Sequence, residues 1–197
     1  MLKKMISILL ASALLLTHAA ALGEEYGSRS LAVADGTSIR ETFLEYGGRQ
    51  REHCIYYIPN ENVTPAVIYG DKLTDISDFA GAAAAAGERG WYTAAGVNGD
   101  YYVMSTNVPL GIIVDEGRLI SSDAGHYAIG FRSDGSAFIG RPQLKTSMTL
   151  GGEKYRLGGI NKTAEKGDFY LFTGDFGPVT SVQGAMRNLI VSCPDEL

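Results

Sequence analysis

Reactive side chains in this chain concentrate at Asn98-Gly99-Asp100-Tyr101-Tyr102. Asp100 brings a carboxylate that can serve as acid, base or orienting acceptor. Asn98 offers both a donor and an acceptor, which suits a sugar hydroxyl or a phosphate oxygen. Gly99 lets the backbone turn sharply or a ligand come close. Tyr101 and Tyr102 can stack on a sugar face or donate to an anion. The same residues also make ordinary turns, because Asn, Gly and Asp all favour them. Glycoside chemistry asks for two carboxylates, one as acid or base and one as nucleophile or water activator. Asp115, Asp123 and Asp175 are the eligible second carboxylates. Asp115 and Asp134 read more simply as hairpin residues, whereas Asp175 lies in Gly174-Asp175-Phe176-Gly177, on constrained backbone.

The elements around this stretch are mostly strands. Leu31–Ala34 and Ser38–Tyr46 flank Asp35-Gly36, a strong hairpin signal. Gly47-Gly48 then leads into Arg51–Ile58, so a three-stranded meander is expected over 22–62. Ala66–Tyr69 reads as a short buried strand, and Trp91–Val97 as the strand that delivers the Asn-Gly-Asp turn. Between them the alanine run Ala82–Ala86 predicts a helix from about 75 to 88, with Asp75 or Ser77 as N-cap and Gly87 and Gly90 as stops. Strand, helix and strand at this spacing predict a βαβ crossover. Downstream, hairpins are expected about Asp115-Glu116-Gly117, Ser133–Ser136, Gly151-Gly152 and Gly174–Gly177, with a last strand over Leu189–Ser192. The fold class is therefore α+β: a β-rich mixed sheet of mostly antiparallel hairpins, with one main helix.

Composition narrows the functional classes. With 197 residues, 45% hydrophobic and 20% charged, the chain can build a packed core. Lys3 and Lys4, an apolar run from Met5 to Leu16 and Ala19-Ala20-Ala21 form a secretory signal pattern over 1–21. A secreted or cell-envelope location follows, with no membrane insertion after cleavage. Cleavage would remove two lysines and no carboxylate, moving the formal charge from −5 to −7. An acidic exported domain without a basic stripe argues against nucleic acid as a partner. Cys54 and Cys193 can pair in an oxidising compartment or stay as thiols. His18, His53 and His126 are scattered and no Cys/His ligand spacing occurs, so no metal site is expected. No residue pattern names a cofactor. Asn62-Val63-Thr64 and Asn161-Lys162-Thr163 match N-glycosylation acceptors, relevant to a eukaryotic secretory route.

An ordered series of motifs adds a family resemblance. It comprises Val97–Tyr102, then Val108-Pro109-Leu110-Gly111-Ile112-Ile113-Val114-Asp115-Glu116-Gly117, then Ala128-Ile129-Gly130-Phe131-Arg132-Ser133-Asp134-Gly135. Gly159-Ile160-Asn161-Lys162 and Tyr170–Thr180 continue it. Together, from about Val63 to Val191, these residues resemble the phosphodiester glycosidase family, whose lysosomal member removes N-acetylglucosamine from a mannose phosphodiester. The resemblance implies a carbohydrate or sugar-phosphate partner. It carries over Asp100 as the catalytic residue and Asn98, Gly99 and Tyr102 as substrate-binding residues. Family members continue into a second half with an Arg-bearing strand and a Leu-Asp-Gly-Gly-Gly-Ser motif, which this chain lacks. The expectation is thus a glycosidase-like domain over 63–197, shortened at its C-terminus and hydrolysing a sugar-1-phosphodiester if completed by a second half. The alternatives are a non-catalytic glycan- or partner-binding domain and an inactive N-terminal fragment.

Overall fold

The computed structural model describes residues 24–180. The expected signal segment, the strand expected over Leu189–Ser192 and Cys193 lie outside the described residues, and with Cys193 the question of a disulfide. Within the described chain two compact units form, one of residues 24–64 with 94–96, the other of residues 65–93 and 97–180.

In the first unit, turn chemistry sets the register. Strands β1 (Glu24–Ala34), β2 (Thr37–Glu45) and β3 (Arg49–Tyr57) form an antiparallel sheet in the order β1-β2-β3. Asp35-Gly36 turns β1 into β2, and Gly36 takes φ 59°. A Cβ there would sit 2.8 Å from Asn60 Nδ2 and 2.9 Å from the Ile58 carbonyl, so glycine is required on both conformational and steric grounds. β2 pairs with β3 without a break from Thr37↔Tyr57 to Glu45↔Arg49. Alternation puts Ile39, Glu41 and Phe43 on one face of the central strand. Asn60 then closes the unit, its Oδ1 accepting the Asn62 and Val63 N–H groups at 2.9 Å each.

The second unit is built from short pieces. Its helix α1 spans Phe79–Glu88. Asp78 caps it, Oδ1 accepting the Gly81 N–H at 2.8 Å. The expected caps do other work: Asp75 Oδ2 accepts the Lys72 N–H at 2.8 Å, closing a loop before the helix, and Ser77 Oγ donates to the Asp78 carbonyl at 3.1 Å. The alanine run gives the helix little to bury, and Ala86 is its one buried residue.

The expected βαβ crossover does not form. Neither residues 63–70 nor 91–101 adopt strand structure. Pro65 and Gly70 bracket the first segment, and Val67 is exposed. The second is cut by Gly96 and Gly99, and its alanines offer nothing to pack on a pleated surface.

The hairpins downstream follow their turn residues. β4 (Tyr102–Val103) pairs with β5 (Val108–Pro109), β6 (Ile113–Asp115) with β7 (Arg118–Ser121), and β8 (Ala128–Phe131) with β9 (Ala137–Gly140). β10 (Ser147–Leu150) and β11 (Glu153–Ile160) join through Gly151-Gly152. The hairpin expected about Gly174–Gly177 is replaced by another pairing. β12 (Phe169–Leu171) lies parallel to β11, and residues 172–180 form no strand. Asn161 makes this possible: at φ 52° it turns the chain out of β11, and its N–H donates to the Leu171 carbonyl at 2.9 Å. The fold is thus α+β and β-rich, with mostly antiparallel pairs and one helix among the described residues.

The core of this unit is small. Leu73, Val108, Ile120 and Phe176 are its buried members, flanked by Tyr69, Ile113 and Phe172. Each such side chain contributes about 1.5–3 kcal/mol by leaving water. The Phe172 and Phe176 rings meet edge-on at 4.7 Å. Beside this core lie the buried polar residues Ser121, Ser122, Asn161 and Lys162.

Candidate functional site

The Asn98–Tyr102 loop enters the second unit at Asp100. Its Oδ1 accepts the Tyr101 N–H at 2.7 Å and its Oδ2 accepts the Gly111 N–H at 2.6 Å. The Leu110 N–H donates back to the Tyr101 carbonyl at 2.8 Å. Asp100 is therefore a staple between its own loop and the turn after β5. A Cβ at Gly111 would stand 3.0 Å from Asp100 Oδ2, so any larger residue there would crowd the carboxylate. Asn98, Gly99, Tyr101 and Tyr102 remain exposed, Tyr101 at 82%.

The turn that Asp100 grips is held from behind by Lys162. This lysine is 8% exposed, and its Nζ donates to the carbonyls of Pro109, Leu110 and Gly111 at 2.8, 3.1 and 2.6 Å. Those three acceptors use all the donors of an ammonium. Burial lowers the Lys162 pKa to about 8, against the pull of Asp100 and Asp123, which raise it. The group is thus a cation at neutral pH, fixed between backbone oxygens. Asp123 is itself half-buried, Oδ1 accepting the Leu144 N–H at 3.0 Å.

The residue before Lys162 serves another direction. Asn161 is fully buried, and its Nδ2 donates to the Ile120 carbonyl at 2.7 Å and to Thr173 Oγ1 at 2.8 Å. Its Oδ1 accepts the Thr173 N–H at 2.9 Å. Both amide ends are occupied, so Asn161 cannot accept a glycan despite its acceptor motif. Thr173 Oγ1 passes the chain on to Asp175 Oδ2 at 3.1 Å, and Arg118 Nη1 meets that oxygen at 2.7 Å. Burial pushes the Asp175 carboxyl up, but its bonds to Arg118 and Thr173 and the charges of Arg118 and Lys72 hold it below the usual carboxylate range.

These contacts sort the eligible second carboxylates and Asp134, read as a hairpin residue. Asp175 belongs to Arg118. Asp115 pairs with Arg89 at 3.0 Å. Asp134 caps its own hairpin, Oδ1 accepting the Ser136 N–H at 2.8 Å. Asp123 is the one that shares a neighbour with Asp100, namely Lys162. Lys162 is also the residue that a reading for reactive groups passes over. Its sequence signal was its place directly after Asn161, at the end of a strand and before a loop. Among the described residues no helix is long and apolar enough to cross a membrane, and no cluster of His, Cys, Asp or Glu has a metal-holding arrangement. Set against family models, curated proteins and solved structures, the chain matches none.

Proposed function

We propose that the second unit carries a carbohydrate-phosphate site and hydrolyses a sugar-1-phosphodiester or a related envelope glycan linkage, in the manner of the phosphodiester glycosidases its motifs resemble. The observation that carries this reading is Asp100, pinned by two backbone N–H groups to the turn whose carbonyls the buried Lys162 grips. Asp123, whose charge acts on Lys162 as that of Asp100 does, is the second carboxylate of this reading. Glycosyl transfer needs such a pair: one group stabilises the oxocarbenium-like centre while the other activates water or manages the proton. Asp100, fixed by two N–H donors, suits the first role. Asp123 supplies the second. The departing phosphate is a good leaving group and asks for little protonation. Lys162, its donors already taken, holds the turn that Asp100 grips and does not touch substrate.

The test is sugar release from a sugar-1-phosphodiester by the purified protein. Asp100→Asn and Asp123→Asn should each lower kcat by roughly a hundredfold; Asp123→Asn should keep the melting temperature close to wild type, whereas Asp100→Asn turns an amide NH2 toward one of its two backbone donors and should lower it. A folded protein that never turns over such substrates removes the hydrolytic reading. One observation favours binding without hydrolysis as the second reading: both oxygens of Asp100 are spent on backbone N–H groups, while Tyr101 and Tyr102 stand open to solvent. That reading expects glycan binding that survives Asp100→Asn and weakens with Tyr102→Ala.

A further inference from the structure

The hydrogen-bond chain that begins at Asn161 ends at a surface group with no role in the reading above. Asn161 fixes Thr173, Thr173 fixes Asp175, and Asp175 fixes the Arg118 guanidinium. Arg118 Nη2 then donates to the Tyr69 hydroxyl at 3.4 Å. A second guanidinium lies over the same ring. Arg89 stands 5.9 Å from the Tyr69 centroid and 5.3 Å from that of Trp91, and Asp115 holds it at 3.0 Å. Stacking on two aromatic rings and pairing to a carboxylate fix the plane of a side chain that is otherwise floppy.

Exposure orders the cluster from inside to outside. The carboxylates are the buried partners, with side chains 23% exposed at Asp175 and 11% at Asp115. The guanidiniums face water more, at 59% for Arg118 and 33% for Arg89. Acids behind and cations in front is the layering of an anion site, because an approaching anion meets N–H donors before it meets negative charge. The contacts named leave further guanidinium N–H groups on both arginines. Burial raises the Tyr69 phenol, so its hydroxyl stays a neutral hydrogen-bonding group between them.

We propose that Arg118, Arg89 and Tyr69 form a binding site for a phosphate-type oxyanion, with Asp175 and Asp115 as positioning residues and the Asn161–Thr173 pair as its buried anchor. A tetrahedral oxyanion suits two fixed forks and a hydroxyl better than a single point charge would. The site stands independently of whether Asp100 and Asp123 turn over a substrate.

Trp91 is the chain's single tryptophan and stacks on Arg89, so it reports on the site directly. Inorganic phosphate titrated into the full protein at constant ionic strength should change its emission saturably in the millimolar range, and calorimetry of the same solution should show matching heat. Sodium chloride and acetate at the same ionic strength should not reproduce either signal. Arg118→Gln should weaken phosphate binding by about tenfold and Arg118→Lys by less, because lysine keeps the charge and loses the fork. Tyr69→Phe should weaken it slightly, with the melting temperature of each variant near wild type. Absence of both emission change and heat with phosphate overturns the proposal. So does a response that chloride reproduces, or an Arg118→Gln protein that folds and binds phosphate as wild type does.

Discussion

The two units bury polar groups in opposite ways. In the second, Asn161 is enclosed by backbone and meets each of its hydrogen-bonding needs with a fixed partner. In the first, Glu41 is nearly as enclosed, at 5% exposure, but its partners are not. Arg29, cross-strand from Glu41, pairs with Oε2; Arg51 Nε lies 3.1 Å from Oε1 and His53 Nε2 3.8 Å from it. Oε1 has no aligned hydrogen bond. The three partner side chains are 76%, 62% and 61% exposed. The lesson is that burial alone does not measure what a polar group contributes. What matters is whether its partners can return to water when it is removed. The meander rests on ladder pairing and turn residues, so its polar centre is replaceable. The second unit has short strands and a small core, so its polar tethers carry more of the structure.

The largest expected effect follows from that. Asn161→Ala strands the Ile120 carbonyl, the Thr173 N–H and Thr173 Oγ1, and it places a residue with a Cβ and no compensating side chain at φ 52°. Unpaired buried groups cost about 1–3 kcal/mol each, so the loss should be roughly 3 kcal/mol or more. Denaturant unfolding followed by Trp91 emission reads the second unit. Amide exchange on β2 reads the meander and should barely change. If both units lose protection together, the contrast between them fails.

Lys162 gives a test by pH. Its pKa is about 8 when folded and 10.5 for a free lysine, so between those values the unfolded chain binds more protons than the folded one. Its contribution to stability therefore rises with pH across that window and is smallest below it. Lys162→Met removes this dependence and leaves the carbonyls of Pro109, Leu110 and Gly111 without their cation, a loss of about 2 kcal/mol at neutral pH. The difference in unfolding free energy between wild type and variant should widen from neutral pH toward the upper end of the window. A flat difference would mean that the ammonium is solvated in the folded chain.

How much of this was legible in the sequence depends on how local each signal is. Asp35-Gly36, Gly47-Gly48, Glu116-Gly117 and Gly151-Gly152 specify turns through their own backbone preferences, and hairpins appear at each. Ala66–Tyr69 and Trp91–Val97 have strand-like composition but find no ladder, because pairing depends on a partner far along the chain. β12 shows the converse: its residues look like half of a hairpin, yet they pair with β11 through a left-handed Asn161 that local propensity does not announce. Asp100 was readable as a polar residue at a turn, and its bond to the Gly111 N–H was not. Lys162 was legible only as part of the Gly159–Lys162 motif, and the convergence of three carbonyls explains its burial.

The smallest expected effect is at Glu41, and it separates the two units most cleanly. Ile39 and Phe43 share its face of β2, so a leucine at this position would extend an apolar row of about the same volume. Replacing a buried ion pair with an apolar residue is often neutral when the remaining charges can be hydrated. Here Arg29, Arg51 and His53 already sit mostly in water, and exposed pairs are worth about 0–1 kcal/mol. Arg51 also keeps its place over the Phe43 ring, 5.4 Å from the centroid. Glu41→Leu should therefore change unfolding free energy by less than about 1 kcal/mol, and amide exchange along β2 should stay slow. Glu41→Ala should cost more than Glu41→Leu, since it loses packing as well as charge. If the leucine variant instead unfolds the meander, the polar cluster about Glu41 holds the sheet together, and its buried carboxylate is as necessary as the buried amide of Asn161.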